Sequence, residues 1–304
     1  MINNKKILIV GGTGFIGYHL AKKLITNNSV TSISTKKPPK LRFIKKVKYL
    51  KFDISHMKNF SIINNIKFDY VINLSGYVDH TKKLKIFKSH YNGCKNLINF
   101  FKKKKLKYFI QVGSCTEYGH LKSPHKEKSK LKVASLKSFY SKAKLRASNI
   151  ILNEINNKNF SGLILRPYLI YGPHQDYNRL ISIVFKNCIL DKSFPCSNGR
   201  QTRNFLYIDD FIEAIILSLK LKPRCKIINI GSKKSYKVKF ILNKIKSITK
   251  KGKPLFGKIK LRPDEPNKIF PDLSNSEKYL GWKEKFSLND GLRKTYSYYK
   301  KHVK

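Results

Sequence analysis

An α/β fold, a doubly wound parallel sheet followed by a smaller α+β lobe, is predicted by three features of this sequence. Short apolar runs alternate with helix-length segments through the first half of the chain, the pattern of parallel strands joined by crossover helices. The first run leads directly into a glycine turn, Gly11-Gly12-Thr13-Gly14-Phe15-Ile16-Gly17. After residue 167 the texture changes, with Gly172-Pro173, Phe194-Pro195 and Ser197-Asn198-Gly199 punctuating shorter elements.

Ile7 to Val10 reads as a buried strand, and after the turn Phe15, Ile16, Leu20, Leu24 and Ile25 recur at helical spacing. A strand, a glycine turn and a helix N-terminus direct backbone N–H groups and the positive end of the helix dipole at a pyrophosphate. Further strands are expected at Val30 to Ser34, Val47 to Phe52, Tyr70 to Leu74, Tyr108 to Gly113 and Gly162 to Arg166. Helices are expected over Leu84 to Lys104 and Tyr140 to Asn157. The late strand Lys226 to Ile230 is expected to return to the main sheet. This places a dinucleotide-binding domain at 1–167 with 226–230 and a substrate lobe in most of 168–304.

Composition bounds the function classes. At 304 residues the chain can bury one large core, or one domain and a smaller lobe. No stretch reaches the roughly 18 apolar residues of a membrane span, and the N-terminus lacks the pattern of a signal peptide; a soluble cytoplasmic protein is expected. The five cysteines are odd in number and form no C-x-x-C pair, so neither a disulfide framework nor a metal site is expected. The 65 Lys plus Arg against 17 Asp plus Glu give a net charge of +48. These cations are spread along the whole chain among Asn, Ile, Phe and Tyr, a mixture typical of genomes poor in G and C. No specific nucleic-acid partner is expected, only non-specific attraction to polyanions at low salt. The same field would steer a diphosphate substrate.

The sequence resembles the extended short-chain dehydrogenases/reductases, the NAD(P)-dependent epimerase/dehydratase family. The resemblance rests on several motifs in order: the glycine turn, Asp53-Ile54, Asn73-Leu74-Ser75-Gly76, Asn92-Gly93-Cys94-Lys95-Asn96-Leu97, Ser114 with Tyr118-Gly119, Tyr140 with Lys144, Arg166-Pro167 with Tyr171-Gly172-Pro173, and Arg203-Asn204-Phe205 before Asp209-Asp210. It implies a Rossmann-type sheet and a homodimer packed through the two long helices. It implies a coenzyme site of Gly11, Gly14, Phe15, Ile16, Gly17, Ser34, Thr35, Lys36, Asp53, Ile54, Leu74, Ser75, Gly76, Lys144 and Pro167. It implies a nucleotide-diphosphate sugar as substrate, gripped by Arg203 and Arg262; Asn178 and Arg179, where the substrate lobe begins, are expected either to contact the nucleotide or to be solvated at the surface. A guanidinium suits phosphate oxygens because it forms bidentate, charge-assisted bonds that lysine cannot imitate. Relatives usually carry Arg-Asp-Phe where this chain has Arg203-Asn204-Phe205, which bears on how that arginine is oriented.

Ser114, Tyr140 and Lys144 are the expected catalytic residues. Hydride exchange at a sugar carbon requires proton transfer at its oxygen, and a phenol with a pKa near 10 needs help to do it. Lys144, one helical turn after Tyr140, shares its face and favours the phenolate; by resemblance it also binds the nicotinamide ribose. Ser114 would hydrogen-bond the same sugar oxygen.

The coenzyme and reaction are read from absences. No Asp or Glu precedes Asp53, whereas NAD-binding members carry a carboxylate at the end of the second strand. Ser34-Thr35-Lys36 offers hydroxyls and a cation instead, so NADP(H) is expected, with NAD(H) the alternative. A 4,6-dehydratase carries an Asp-Glu pair after the serine; here Cys115 and Thr116 occupy those places, and Glu117 comes one place late. His174 matches a histidine of epimerase-reductases whose cysteine partner is replaced by Thr116. The segment Leu261-Arg262-Pro263-Asp264-Glu265 with Leu280-Gly281-Trp282 is similar to 4-ketoreductases of the CDP-abequose synthase type. The expected activity is therefore NADPH-dependent reduction of a nucleotide-linked 4-keto-6-deoxy sugar at C4, for surface polysaccharides. The alternative is an NAD-dependent nucleotide-sugar 4-epimerase. A third reading, an RNA-binding protein on this fold, rests on the charge alone and predicts damaged catalytic residues.

Overall fold

The apolar runs assemble as their alternation requires in a computed structural model that describes residues 2–77, 79, 81–261 and 265–303. Strands β1 (Lys6–Val10), β2 (Ser29–Ser34), β3 (Lys48–Lys51), β4 (Tyr70–Asn73), β5 (Tyr108–Val112) and β6 (Gly162–Pro167) pair in parallel. The late strand Ile227–Ile230 adds in parallel to the outer side of β6. From that strand inward the order runs late strand, β6, β5, β4, β1, β2, β3. The chain therefore winds one way from β1 and the other way from β4. Their C-terminal ends flank the switch point at which doubly wound sheets bind ligands.

Helices cover both faces, which is why the strands read as unbroken apolar runs rather than as alternating ones. On one face Ile7, Ile9, Ile72 and Ile110 pack with Leu20 and Leu24 of α1 (Phe15–Leu24). On the other, Leu8, Val10, Val71 and Phe109 pack with Leu97, Ile98 and Phe101 of the helix Gly93–Phe101, and with Ala147 and Ile151 of the helix Phe139–Asn156. The first core continues into the C-terminal half through Phe211, Ile215 and Leu219 of the helix Ile208–Leu221, and on to Trp282 and Leu292.

The predicted helix over 84–104 is interrupted. It forms as α2 (Lys83–Phe87), a wide π-helical turn at Lys88–Asn92, and α3 (Gly93–Phe101). The wide turn carries His90, a buried ring whose Nε2 lies 3.0 Å from the carbonyl oxygen of Tyr77. A single wide turn leaves the apolar spacing on either side almost intact, so periodicity does not register it; such turns recur at functional sites. The helix expected over 140–157 forms as α4 (Phe139–Asn156).

Beyond β6, the elements are short and bind around α5 (Leu180–Ile189) and α6 (Ile208–Leu221). Leu169–Tyr171 pairs with Phe205–Tyr207, and Thr202–Arg203 lies between Tyr236–Lys237 and Lys268–Ile269. Asp210 ties the C-terminal segment to this frame. Its buried carboxylate accepts the N–H groups of Lys285 at 2.8 Å and Phe286 at 3.2 Å, while its carbonyl accepts Trp282 Nε1–H at 3.0 Å. Asp210→Ala leaves two donors without their charged acceptor, so a loss of about 3 kcal/mol is expected, read as a lower midpoint in urea denaturation. No helix among the described residues is long and apolar enough to cross a membrane.

Candidate active site

The glycine turn closes over the end of β1. Gly11 N–H donates to the Ile33 carbonyl at 2.8 Å and Gly14 N–H to the Gly11 carbonyl at 3.1 Å. The first turn of α1 then crosses the loop so closely that a Cβ on Gly17 would lie 2.4 Å from Gly11 O. Only glycine permits this approach, which exposes the helix N-terminus to a bound pyrophosphate.

One cavity of about 1530 Å³ runs from this turn across the switch point into the C-terminal half. It is lined by the glycine turn, Ser34 to Lys36, Asp53, Ile54, Leu74 to Gly76, Ser114, Tyr140, Lys144, Pro167 and Arg203. Asn178 is exposed and lies outside the lining, whereas its neighbour Arg179 lines it. Arg262 falls outside the described residues.

Local bonding explains how these groups are placed. Asp53 accepts Ser55 N–H at 2.8 Å, turning the chain after β3, and Asn96 of α3 donates to the Ile54 carbonyl at 2.9 Å. Asn73, buried at the end of β4, donates to Gln111 at 2.8 Å and accepts from both the N–H and the hydroxyl of Ser75. That side chain sets the turn through Leu74, Ser75 and Gly76.

At the end of β5, Ser114 opens a short 3-10 turn, Cys115–Tyr118. Its Oγ accepts Thr116 N–H at 3.2 Å and lies 2.9 Å from Thr116 Oγ1. Lys144 Nζ donates to the Val112 carbonyl at 2.9 Å from a position only 5 % exposed. Burial pushes its ammonium down to about 8, opposed by the negative charge of Glu117. Burial likewise pushes the Tyr140 phenol up to about 12; the Arg179 cation and a hydrogen bond from Ser114 work in the other direction. The sequence argument had Lys144 as the cation acting on the phenol. In the structure Arg179 has the largest electrostatic influence on it, while Lys144 is turned to a backbone carbonyl. The His90 and Tyr140 rings lie nearly perpendicular, 5.1 Å apart between centroids.

Three neighbours were not singled out for this site by sequence reasoning. Glu117 carried a readable signal, since Ser-x-x-Glu is the spacing of a capping box, and the two residues do cap reciprocally. Arg179 was read as a contact for the nucleotide or a solvated surface group, not as a neighbour of the phenol, and His90 gave no signal at all.

On the substrate side, Arg203 is buried and bonded to Glu265, and it donates to the Thr202 carbonyl at 2.8 Å. Asn204 donates to the Ser232 carbonyl at 2.7 Å and accepts Ser232 N–H at 2.8 Å. An aspartate could only accept, and its charge would face the Ser232 carbonyl oxygen. The departure from Arg-Asp-Phe therefore suits the loop that this side chain clasps.

The residues weighed for other reactions are engaged elsewhere. Cys115 is buried, its thiol pushed up to about 12 by desolvation. The His174 ring packs between Tyr18 and Tyr298, at 4.4 and 4.3 Å, and burial pushes it down to about 4. Among the described residues no cluster of His, Cys, Asp and Glu is arranged to hold a metal ion.

Residues 7–231 match the model of the NAD dependent epimerase/dehydratase family. The chain belongs to that family. A UDP-glucuronic acid 4-epimerase from Bacillus cereus, solved with UDP-glucuronic acid and NAD, is 25 % identical, with a TM-score of 0.87 over 98 % of this chain and 99 % of its own. A UDP-glucose 4-epimerase from Thermotoga maritima superposes with a TM-score of 0.91 at 22 % identity, over 98 % of this chain and all of its own. The CDP-abequose synthase of Salmonella muenchen is 26 % identical over 97 % of this chain and 98 % of its own length, a level of similarity that carries membership and not the reductase subtype.

These relatives correct two expectations. The coenzyme bound in the Bacillus cereus epimerase is NAD, as it is in two further structures of this fold, which overturns NADP(H). The prevalence of epimerases and dehydratases among the relatives overturns C4 ketoreduction with NADPH as the main reading. The physical reason lies at the end of β2. Ser34 Oγ accepts Thr13 N–H at 3.4 Å, so that side chain serves the turn and keeps a single O–H to donate. Lys36 is exposed, one of many surface lysines, and the nearby Arg42 is bound to Asp176 at 2.6 Å and to the His174 carbonyl.

Proposed function

We propose that this chain is an NAD-dependent 4-epimerase of a nucleotide-diphosphate sugar. The observation that supports this most directly is the convergence of Ser114, Tyr140 and Lys144 on a coenzyme-sized cavity, where Cys115 and Thr116 replace the carboxylate pair of dehydratases. The NAD-bound epimerase at 25 % identity supports the same reading.

The residues present fit NAD. The glycine turn would hold the pyrophosphate, Asp53 and Ile54 would flank the adenine, and Lys144 would hold the nicotinamide ribose. NAD, when bound, would take up a hydride from C4 of the sugar and return it to the opposite face of the same carbon. Tyr140, as the phenolate, accepts the proton of the C4 hydroxyl and gives it back to the same oxygen. Ser114 donates a hydrogen bond to that oxygen, and the positive charges of Lys144 and Arg179 favour the phenolate. Arg203 would grip the diphosphate, exchanging its bond to Glu265 for phosphate oxygens. In this reading 1–167 with Ile227–Ile230 carries the coenzyme, and most of 168–304 carries the substrate.

The test is to incubate purified protein with UDP-, dTDP-, CDP- and GDP-linked sugars and to identify products by NMR, with the coenzyme assayed after acid release. An equilibrium mixture of C4 epimers with no net change in coenzyme is expected. Net coenzyme oxidation, a 4-keto-6-deoxy product or loss of carbon dioxide would each remove the epimerase reading.

Lysine acts here as a cation, and with its ammonium held down to about 8 that cation is lost as pH rises. The kcat/KM for epimerisation is therefore expected to rise by about tenfold per pH unit below this region, as the phenol ionises, and to level off above it, where loss of the lysine cation offsets further ionisation. A rise that continues unbroken from pH 7 to 10 would remove Lys144 from that role. We further propose a cytoplasmic homodimer packed through α2, α3 and α4, where Leu84 and Phe139 are exposed. Light scattering is expected to give twice the chain mass of 35.4 kDa.

A further inference from the structure

Glu117 lies outside the cavity lining, yet it is 0 % exposed and grips the catalytic group from behind. One carboxylate oxygen accepts Ser114 N–H at 2.8 Å, and the other accepts Arg166 Nε–H at 2.9 Å. Arg166 comes from β6, and its guanidinium lies over the Tyr118 ring at 4.8 Å, so the carboxylate is fixed between two elements. Gly113 makes room for it, because a Cβ there would come within 2.4 Å of Glu117 Oε1. Three consecutive residues thereby join the site. The Val112 carbonyl receives Lys144 Nζ, Gly113 admits the carboxylate, and Ser114 N–H donates to it.

A buried ion pair gives little stability over an apolar pair of similar shape, so its position calls for another explanation. The groups that face Lys144 are Glu117 from the 3-10 turn and Cys94 from α3, and burial holds the Cys94 thiol up at about 12 and hence neutral. Arg179, Cys115 and Glu117 face Tyr140, with His90 against its ring. Glu117 is thus the anion available to offset the desolvation of the lysine.

We propose that Glu117 is a positioning residue that fixes the Ser114 hydroxyl toward the reacting oxygen and keeps the Lys144 side chain cationic. The kinetic consequence rests on the epimerase reading; the effect on Lys144 does not.

The experiment follows Lys144 directly, by competitive trace acetylation across pH with peptide mass readout, in native protein, Glu117→Gln and Glu117→Asp. Glutamine keeps an oxygen for Ser114 N–H and removes the charge; aspartate keeps the charge. Glu117→Gln is expected to lower the Lys144 midpoint by about one pH unit or more, and Glu117→Asp to restore most of it. Should Glu117→Gln fold poorly with Arg166 unpaired, the double variant E117Q/R166Q gives the same reading without the buried cation. The pH at which kcat/KM levels off is expected to move toward acid by the same interval. An unmoved midpoint in a folded charge-removing variant overturns the proposal. So does an equal loss of turnover at every pH, the mark of a purely structural role. If native protein epimerises nothing, the functional reading fails while the Lys144 midpoint still decides what Glu117 does.

Discussion

Tyr140→Phe is expected to lower turnover by about 10²- to 10⁴-fold, the usual contribution of a positioned acid or base, while NAD affinity stays within about threefold of native. The substitution removes one oxygen and little else. The phenylalanine ring keeps the perpendicular packing against His90. Ser114 Oγ still has Thr116 Oγ1 at 2.9 Å and Thr116 N–H at 3.2 Å, so that hydroxyl keeps two partners. Loss of activity in a variant of native thermal midpoint would then report proton transfer and not collapse of the site. The residual rate is expected to lose its dependence on ionisation of the phenol, which progress curves across pH measure. A variant that keeps more than about a tenth of native turnover would take Tyr140 out of the proton-transfer step.

The parts legible in the sequence were those in which one residue type answers one local need. The apolar runs Ile7 to Val10 and Tyr108 to Gly113 read as buried strands because both sheet faces are covered, and β1 and β5 formed within a residue of the expected bounds. Ser114, Tyr140 and Lys144 carried a shared signal and meet in one cavity. What escaped notice depends on contacts between distant segments. Glu117 was read as coming one place late for a dehydratase carboxylate, and the chain folds there into a 3-10 turn. Its side chain turns from the cavity, toward Arg166, which lies 49 residues further along. The wide turn that carries His90, whose ring is buried against Gly76, cannot be seen from spacing. The coenzyme reading failed for a related reason. A missing carboxylate after β2 was weighed against lysines that the whole surface shares, while the fate of Ser34, bonded back to Thr13, was invisible in the chain order.

Gly17→Ala isolates the cradle from the rest of the fold. The added Cβ would lie 2.4 Å from Gly11 O and 2.5 Å from Gly12 Cα, both backbone atoms, so relief requires the turn itself to shift away from α1. Alanine is the better helix former by up to about 1 kcal/mol, which means that the helix gains while the loop loses. NAD affinity is therefore expected to drop by about 100-fold, close to 2.7 kcal/mol, with far-UV circular dichroism unchanged. Titration calorimetry of the purified variant reads this directly and needs no substrate. Binding within about threefold of native would mean that the pyrophosphate does not depend on the close crossing of α1 over the glycine turn, and the coenzyme would have to be held chiefly from the β4 and β5 ends of the cavity. A loss confined to binding would instead place the energetic weight where the sequence signal is strongest, at the helix N-terminus that Gly17 leaves open.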